Sequence, residues 1–443
     1  MDTLTAWPRC PEAAAFFVER MNDFLEANPP VAELSSLFFE HAGILLQNLT
    51  DHWVFPDTTE MKQKLRKYGL EEQSIEDELF WEHPAARFPR IRLEGGRIYP
   101  RLAIAVEDIE LFLKANSLEG KSVSGDREAS YSETIIPMVH GELAVVRRVG
   151  YRGFQTDPTT ESYKQLLQEA REMLRVRARS SDALEQTISL ALKIAGSLGS
   201  GRAADEFFAV EREYYMSRNS SARWQYARQQ DIGAGWANHD HHTYRCSRSN
   251  FQNMLRLWKS LGFLFRERFY AGEEAGWGAQ VLEHPSSRIV IFTDVDLTPE
   301  ELDIDFLSTP LPPRQMLGTI GLWCALHDDS AGEAGMHHIE AEYDFERVES
   351  ILESAGHGVM PPFTNLPILK QAFTEAEMWP VSSERIEILL ANGQITSDQA
   401  AMFRSRGAAG SHLEILQRWE GFKGFNKTGV SSIILATDAR NVR

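Results

Sequence analysis

A histidine-rich segment in the middle of the chain is the feature that most constrains its fold. Residues 238–245 read Asn-His-Asp-His-His-Thr-Tyr-Arg, residues 335–340 read Gly-Met-His-His-Ile-Glu, and residues 411–418 read Ser-His-Leu-Glu-Ile-Leu-Gln-Arg. A fold that brings the three segments together combines one histidine from each of the first two with a carboxylate from the third. Two imidazoles and one carboxylate leave open positions on a bound metal, and this ligand set suits non-haem Fe(II) and oxygen chemistry.

The alternation of side chains along a strand selects among the neighbouring histidines. In the second segment, His338 and Glu340 share one polar face, whereas His337 and Ile339 share a mostly apolar face. A metal-lined cavity is expected to take the polar face. His338 is therefore the predicted ligand of this segment.

The same reasoning applies to the other two segments. His241 and Arg245 share a face of the first strand, and Glu414 and Arg418 share a face of the third. The predicted metal ligands are therefore His241, His338 and Glu414, and the Arg245 guanidinium can pair bidentately with a substrate carboxylate. The alternative ligands left open are His239, His242, His337, His412 and, in place of Glu414, Glu340.

Hydrophobic periodicity predicts an α+β protein. Residues 1–150 are expected to form a mixed N-terminal domain, residues 151–230 a helical bridge, and residues 231–443 the metal-binding catalytic domain. Within the last range, a strand, a helix and two further strands occur twice, which predicts two paired β-α-β-β modules. The N-terminal half is mixed and largely helical, and is either a degenerate module or a separate partner domain.

Charge and composition argue against several classes of partner. The formal net charge of −18 argues against nucleic acid, because phosphate binding requires a basic surface, and it disfavours an anionic membrane surface. No apolar run approaches the roughly 20 residues of a membrane helix, and the N-terminus lacks the features of a signal peptide. Three cysteines without a Cys-x-x-Cys pair predict a reducing, cytoplasmic location. Nothing in the sequence indicates the oligomeric state.

Short motifs in the C-terminal half resemble those of known metalloenzymes. Residues 240–245 are similar to the Asp-His-x-x-x-Arg segment of the 2-oxoadipate dioxygenase/decarboxylase family, and residues 414–418 resemble its Glu-Ile-x-Gln-Arg segment. Residues 335–339 and 414–425 also look like segments of the vicinal oxygen chelate superfamily, which includes 4-hydroxyphenylpyruvate dioxygenase. The chain departs from the oxoadipate family after His338, where that family has a short segment ending in Pro-Arg. The first metal histidine of that family also lies near its N-terminus, whereas more than half of this chain precedes His241.

The resemblance implies a non-haem Fe(II)-dependent dioxygenase with His241, His338 and Glu414 as iron ligands. It also implies that Arg245, Gln371 and Gln417 contact the substrate. The expected substrates are O2 and a small 2-oxo acid, which is decarboxylated and hydroxylated. Two alternatives stay open. One is a metal-dependent ring-cleaving dioxygenase, isomerase or lyase of the same superfamily, and the other is a non-catalytic protein that binds a small ligand.

Overall fold

A seven-stranded sheet organises the N-terminal half. The computed structural model describes residues 7–425, 433 and 437–441. The strands of this sheet are β1 (Thr50–Pro56), β2 (Glu71–Ile75), β3 (Glu78–Glu82), β4 (Arg90–Glu94), β5 (Arg101–Ala105), β6 (Tyr131–Met138) and β7 (Gly141–Arg148). The helices that accompany it are α1 (Pro11–Ala27), α2 (Pro29–Ala42), α3 (Thr59–Lys67) and α4 (Ile109–Ala115).

The local sequence explains where the first two helices begin and end. Pro11 and Pro29 occupy the first helical positions, where the missing N–H costs no hydrogen bond. Gly43 ends α2 in the left-handed conformation, with a φ of 69°, which a residue without a Cβ adopts readily. Phe24 of α1 packs edge-on against Trp53 of β1, with ring centroids 5.5 Å apart, and so fixes the helix on the sheet.

Four helices connect the two halves of the chain. They are α5 (Glu161–Arg175), α6 (Leu184–Leu198), α7 (Ser200–Arg218) and α8 (Ser220–Asp231). Helix α7 is buried along much of its length. Its Phe208 ring lies 4.9 Å from the His242 ring, and its Tyr215 hydroxyl donates to the carbonyl of His412. Helix α7 therefore supports the strands that carry the predicted ligands.

An eight-stranded sheet organises the C-terminal half. Its strands are β8 (His239–Arg245), β9 (Leu264–Tyr270), β10 (Trp277–Glu283), β11 (Val290–Asp296), β12 (His338–Glu342), β13 (Thr364–Leu366), β14 (Leu369–Phe373) and β17 (His412–Arg418). A two-stranded sheet consists of β15 (Met378–Trp379) and β16 (Ala408–Ala409). The helices are α9 (Phe251–Ser260), α10 (Thr319–His327), α11 (Phe345–Ser354), α12 (Ser383–Ala391) and α13 (Ser397–Arg406).

The C-terminal sheet is a pair of modules that meet at β8 and β12. The strand order is β13-β14-β17-β12-β8-β11-β10-β9, and the two central strands are antiparallel. One module is β8-α9-β9-β10-β11, and the other is β12-α11-β13-β14-β17. This arrangement confirms the predicted α+β fold with paired, vicinal-oxygen-chelate-like modules. Each module has three strands after its helix rather than the two predicted.

The two sheets share one strand order. The N-terminal order, β2-β3-β4-β1-β5-β7-β6, matches β9-β10-β11-β8-β12-β17-β14 and leaves β13 without a counterpart. The strand directions also match, since β1 pairs in parallel with β4 and antiparallel with β5, as β8 does with β11 and β12. In both central pairs the register shifts at an aspartate, Asp51 or Asp240. We propose on this basis that the N-terminal half is a degenerate pair of modules.

Among the described residues, no helix is both long and apolar enough to cross a membrane.

Buried histidines make the folded state sensitive to acid. Burial lowers the pKa of His52 and of His284 to about 4, and that of His327 to about 3. In the unfolded chain a histidine titrates near 6.5. Below that pH the unfolded state binds protons that the folded state excludes, so this stability is complete above about pH 6.5 and is lost as the pH falls towards 4.

We expect the free energy of unfolding to fall by about 1.4 kcal/mol per pH unit for each such histidine across this window. Urea denaturation near pH 7.5, 6.0 and 5.0 at constant ionic strength measures the slope. A His327→Gln variant should show a shallower slope, because it has one buried imidazole fewer. The comparison between the two proteins carries the test, because buried carboxyls such as Asp205 and Asp294, whose pKa values burial raises to about 7, act in the opposite direction in both. Equal slopes in wild type and His327→Gln contradict the expectation.

Candidate metal centre

Three strands at the middle of the C-terminal sheet bring the predicted ligands together. In the register, Glu340 of β12 lies between His241 of β8 and Glu414 of β17. The Nε2 atom of His338 lies 2.9 Å from Oε2 of Glu414, and Nε2 of His241 lies 3.8 Å from the same oxygen. One ligand atom from each of His241, His338 and Glu414 falls within 4.8 Å of the others, and all three residues are buried.

A second group of possible ligands overlaps the first. Ligand atoms of Asp240, His241 and Glu340 also lie within 4.8 Å of one another. Asp240, however, already forms ion pairs with Arg87 and Arg418, and Arg418 lies 3.6 Å from Glu340. Within the part of the chain that the structure describes, no arginine or lysine forms an ion pair with Glu414. The charge balance therefore favours the group that contains Glu414 as the cation site.

The electrostatics of the centre fit a divalent cation. Burial raises the pKa of Glu340, as does the neighbouring charge of Glu414, and burial raises the pKa of Glu414 itself. Gln371 Nε2 donates to Glu340 at 2.8 Å and to Glu414 at 3.1 Å, but an amide supplies no charge. Burial and the neighbouring His241 lower the pKa of His338, which keeps this imidazole neutral and able to bind a metal. A cation among these groups would supply the positive charge that Glu414 lacks.

Arg245 lies on the same face of the sheet, four residues beyond His241. It is only 1% exposed, and its guanidinium stacks over Trp323 of α10 at 5.5 Å. Its Nε and Nη2 atoms have no hydrogen-bond partner among the described residues. Asp294 is its neighbour across the β8–β11 register, yet the two side chains do not form an ion pair there. Arg245 is therefore a buried cation with open donors that point to an anionic ligand.

Helix α10 closes this end of the site because an aspartate holds its first turn. Asp296, at the end of β11, accepts hydrogen bonds from the backbone N–H groups of Gly318, Ile320 and Gly321. A carboxylate at a helix N-terminus satisfies donors that the helix itself leaves unpaired. The cap places Trp323 against Arg245.

Aromatic rings surround the ligand group. The His241 ring lies 4.6 Å from the ring of Phe292 and 5.6 Å from that of Phe425, and the His338 ring lies 5.1 Å from that of Phe373. These apolar walls lower the local dielectric and keep bulk water away from the metal ligands. Electrostatic interactions at such a site are stronger than in water.

The alternative ligands all have other partners. Nδ1 of His239 lies 2.7 Å from the Trp236 carbonyl, Nδ1 of His337 lies 3.0 Å from that of Gly410, and His412 Nδ1 lies 2.8 Å from that of Thr374. His242 packs on Phe208, on the side of the sheet that faces α7. The groups that gather in the structure are the predicted trio, with Glu340 beside it.

The two glutamines predicted to contact the substrate lie on different faces of the sheet. Gln371 lies within hydrogen-bond distance of Glu340 and Glu414. Gln417 instead points to the opposite face of β17, where its Oε1 accepts a hydrogen bond from the Phe345 N–H at 2.9 Å. Alternation along β17 separates it from Glu414, and a contact between Gln417 and the substrate stays a prediction.

Sequence reasoning missed the charged groups behind the site. In the sequence Asp240 stands out only as part of a motif, and Arg87 lies far away in the chain. One signal was present, because an Asp-His pair occurs twice, at residues 51–52 and at residues 240–241. Each pair begins a strand at the centre of its sheet.

Comparisons with known proteins give structural matches at low identity. No protein-family model and no curated protein sequence matches this chain. A protein from Ralstonia eutropha described as a glyoxalase superfamily member is 10% identical, with a TM-score of 0.34, over 59% of this chain and 96% of its own. Hydroxyglutarate synthase from Oryza sativa, solved with 2-oxoadipate, is 12% identical, with a TM-score of 0.35, over 60% of this chain and 97% of its own.

A third match covers more of this chain. A mutant of 4-hydroxymandelate synthase from Streptomyces coelicolor is 10% identical, with a TM-score of 0.30, over 77% of this chain and 97% of its own. At such scores and identities, the interpretation of the site rests on its own geometry.

We expect His338→Gln and Glu414→Gln each to weaken metal binding by at least about 100-fold, since loss of even an outer partner of a ligand costs 10–100-fold. Both changes preserve side-chain size while removing a ligand atom or its charge. Anaerobic equilibrium dialysis against Fe(II) measures the affinity. His337→Gln, one residue away on the opposite face, is the matched control and should retain wild-type affinity. Full affinity in both ligand variants would exclude this trio.

Proposed function

We propose that the protein is a non-haem Fe(II)-dependent dioxygenase that acts on a small 2-oxo acid. The observation that carries the proposal is the arrangement of His241, His338 and Glu414 on one face of the C-terminal sheet. The buried Arg245 lies on the same face, and its Nε and Nη2 atoms have no hydrogen-bond partner among the described residues. Two imidazoles and a carboxylate hold Fe(II) while leaving positions for a bidentate substrate and O2.

Bound Fe(II) would supply the redox chemistry that activates O2 toward the substrate. The overall reaction consumes R–CH2–CO–COO⁻ and O2 and yields R–CH(OH)–COO⁻ and CO2. The bond between the 2-oxo carbon and its carboxylate breaks, one oxygen atom enters the new carboxylate, and the other enters the hydroxyl group. No external reductant is needed, because decarboxylation of the substrate itself supplies the two electrons.

Arg245 defines the distal end of the substrate. Four residues along a strand span about 13 Å between Cα atoms, so Arg245 and His241 stand at the two ends of a short stretch of the same face. The gap fits a short molecule with its 2-oxo acid end at the metal ligands and a second carboxylate at Arg245. Its two open donors match the bidentate geometry of a carboxylate. We therefore propose a dicarboxylic 2-oxo acid.

A glutamine and three phenylalanine rings also have proposed roles at the metal centre. Gln371 bridges the carboxylates of Glu340 and Glu414 by donating to both, and so keeps Glu414 turned toward the histidines. Phe292, Phe373 and Phe425 exclude bulk water, which protects reactive species from side reactions.

We expect anaerobically purified protein to bind about one iron per chain and to consume O2 when a dicarboxylic 2-oxo acid is added. An oxygen electrode and a panel of 2-oxo acids of increasing length measure this. Bound metal without oxygen uptake favours the isomerase or lyase alternative. It also fits a ring-cleaving dioxygenase whose substrate, such as an aromatic diol, is outside the panel. If the chain binds no metal, the remaining alternative is a non-catalytic protein that binds a small ligand.

Arg245→Gln should lower kcat/KM for a dicarboxylic 2-oxo acid by about 10–100-fold, since a hydrogen-bonded charged contact contributes 1.5–3 kcal/mol. For a monocarboxylic 2-oxo acid of equal length the loss should be much smaller, because no second carboxylate is present. Steady-state kinetics with both substrates and iron content as a control separate substrate binding from metal loss. Equal losses on both substrates would contradict the role given to Arg245.

A further inference from the structure

We propose that Arg87, a residue of the N-terminal half, positions the metal ligand His241 through Asp240. The inference rests on the proposed function, because it concerns the same metal centre. It assigns to the N-terminal half a direct effect on metal affinity rather than a separate site.

The contacts form a continuous chain from one half of the protein to the other. The Arg87 guanidinium forms an ion pair with Oδ1 of Asp240, and a second contact, at 3.3 Å, with Glu342. Oδ2 of Asp240 lies 3.1 Å from His241 Nδ1 and accepts a hydrogen bond from Arg418 at 2.9 Å. Asp240 is therefore held by one guanidinium from each half and holds the imidazole in turn.

This contact assigns different tasks to the two ring nitrogens of His241. Nδ1 lies 3.1 Å from carboxylate oxygens of both Asp240 and Glu340, and Nε2 faces Glu414 at 3.8 Å. A carboxylate at Nδ1 fixes the tautomer in which Nε2 carries the free lone pair, and it fixes the ring orientation. The result is a carboxylate–imidazole pair that aims Nε2 at the metal position.

A β-bulge makes the contact possible. Consecutive residues of a regular strand point to opposite faces, which would separate the side chains of Asp240 and His241. The register between β8 and β12 shifts at Asp240, so that residue has no partner across the strand pair. Bulges redirect side chains in this way.

The N-terminal sheet contains the same device, although the described residues form no group of possible metal ligands there. By register, Asp51, His52 and Arg148 occupy the places of Asp240, His241 and Arg418. Nδ1 of His52 lies 2.6 Å from Asp51, which Arg148 binds with two hydrogen bonds, at 2.9 and 3.0 Å.

The other ligand positions of the N-terminal sheet have changed. Arg101 stands at the place of His338, and Ala144 at that of Glu414. The Asp-His-Arg cluster thus orients an imidazole even where no ligand set surrounds it. In the C-terminal sheet the same cluster provides that orientation for a ligand.

Arg87 lies in a segment that joins the two halves. Its backbone N–H donates to the Gly421 carbonyl at 2.8 Å, so the segment is attached to the turn after β17. Its side chain is 37% exposed and borders a cavity of about 930 Å³ between the halves, which Arg288 also lines. The ion pair with Asp240 therefore forms the inner wall of this cavity.

The test compares metal dissociation constants of the full-length chain, titrated anaerobically with Co(II) as an optical probe of the Fe(II) site. We expect Asp240→Asn and Arg87→Gln to weaken binding by about 10–100-fold, the cost of losing an outer partner of a metal ligand. Arg87→Lys keeps the positive charge and should retain most of the wild-type metal affinity.

Two matched controls separate positioning from general destabilisation. Asp51→Asn removes the equivalent aspartate of the N-terminal sheet, and Arg288→Gln removes another arginine of the same cavity. Both should keep the wild-type dissociation constant, even if Asp51→Asn lowers the melting temperature. Unchanged affinity in Asp240→Asn and Arg87→Gln overturns the proposal, as does an equal loss in Asp51→Asn. A wild-type chain that binds no metal overturns the proposed function instead.

Discussion

The burial of negative charge at the middle of the C-terminal sheet is the constraint on which the rest of the structure depends. Asp240, Glu340 and Glu414 are each at most 3% exposed, and a buried carboxylate is costly unless it is paired or binds a metal. The protein compensates Asp240 with two guanidinium groups and binds Glu340 and Glu414 through one amide. The negative charge of Glu414 remains without an arginine or lysine partner among the described residues, and this is the electrostatic reason to expect a cation there.

The two faces of the sheet serve different purposes because of that charge. The face toward α7 packs His242 against Phe208 and ties the backbone of His412 to Tyr215, which makes the central strands rigid. The other face holds the ligands, the phenylalanine rings and Arg245 beneath α10. Rigid strands hold a catalytic geometry better than loops do, and this explains why the chemistry-bearing side chains lie on β8, β12 and β17.

Much of the site could be predicted from the sequence, because side-chain alternation is a local rule. Alternation separated His338 from His337 and His241 from His242, and the structure places each member of these pairs on the expected side. Other features depend on distant parts of the chain. The contact between Asp240 and His241 needs a bulge, which breaks alternation, and the Arg87 contact joins residues more than 150 positions apart. For Gln417, the family motif and the alternation along β17 point to opposite faces, and its contact with the substrate stays a prediction.

The shared strand order of the two sheets has a consequence for protein engineering. His52 already stands, oriented and buried, where a first ligand would be required, and only the positions of Arg101 and Ala144 lack ligand side chains. The C-terminal half thus provides a full-scale template, within the same polypeptide, for building a second centre. The differences between the halves also distinguish what the scaffold requires from what the chemistry adds: the aspartate, histidine and arginine belong to the scaffold, and the second histidine and the glutamate to the chemistry.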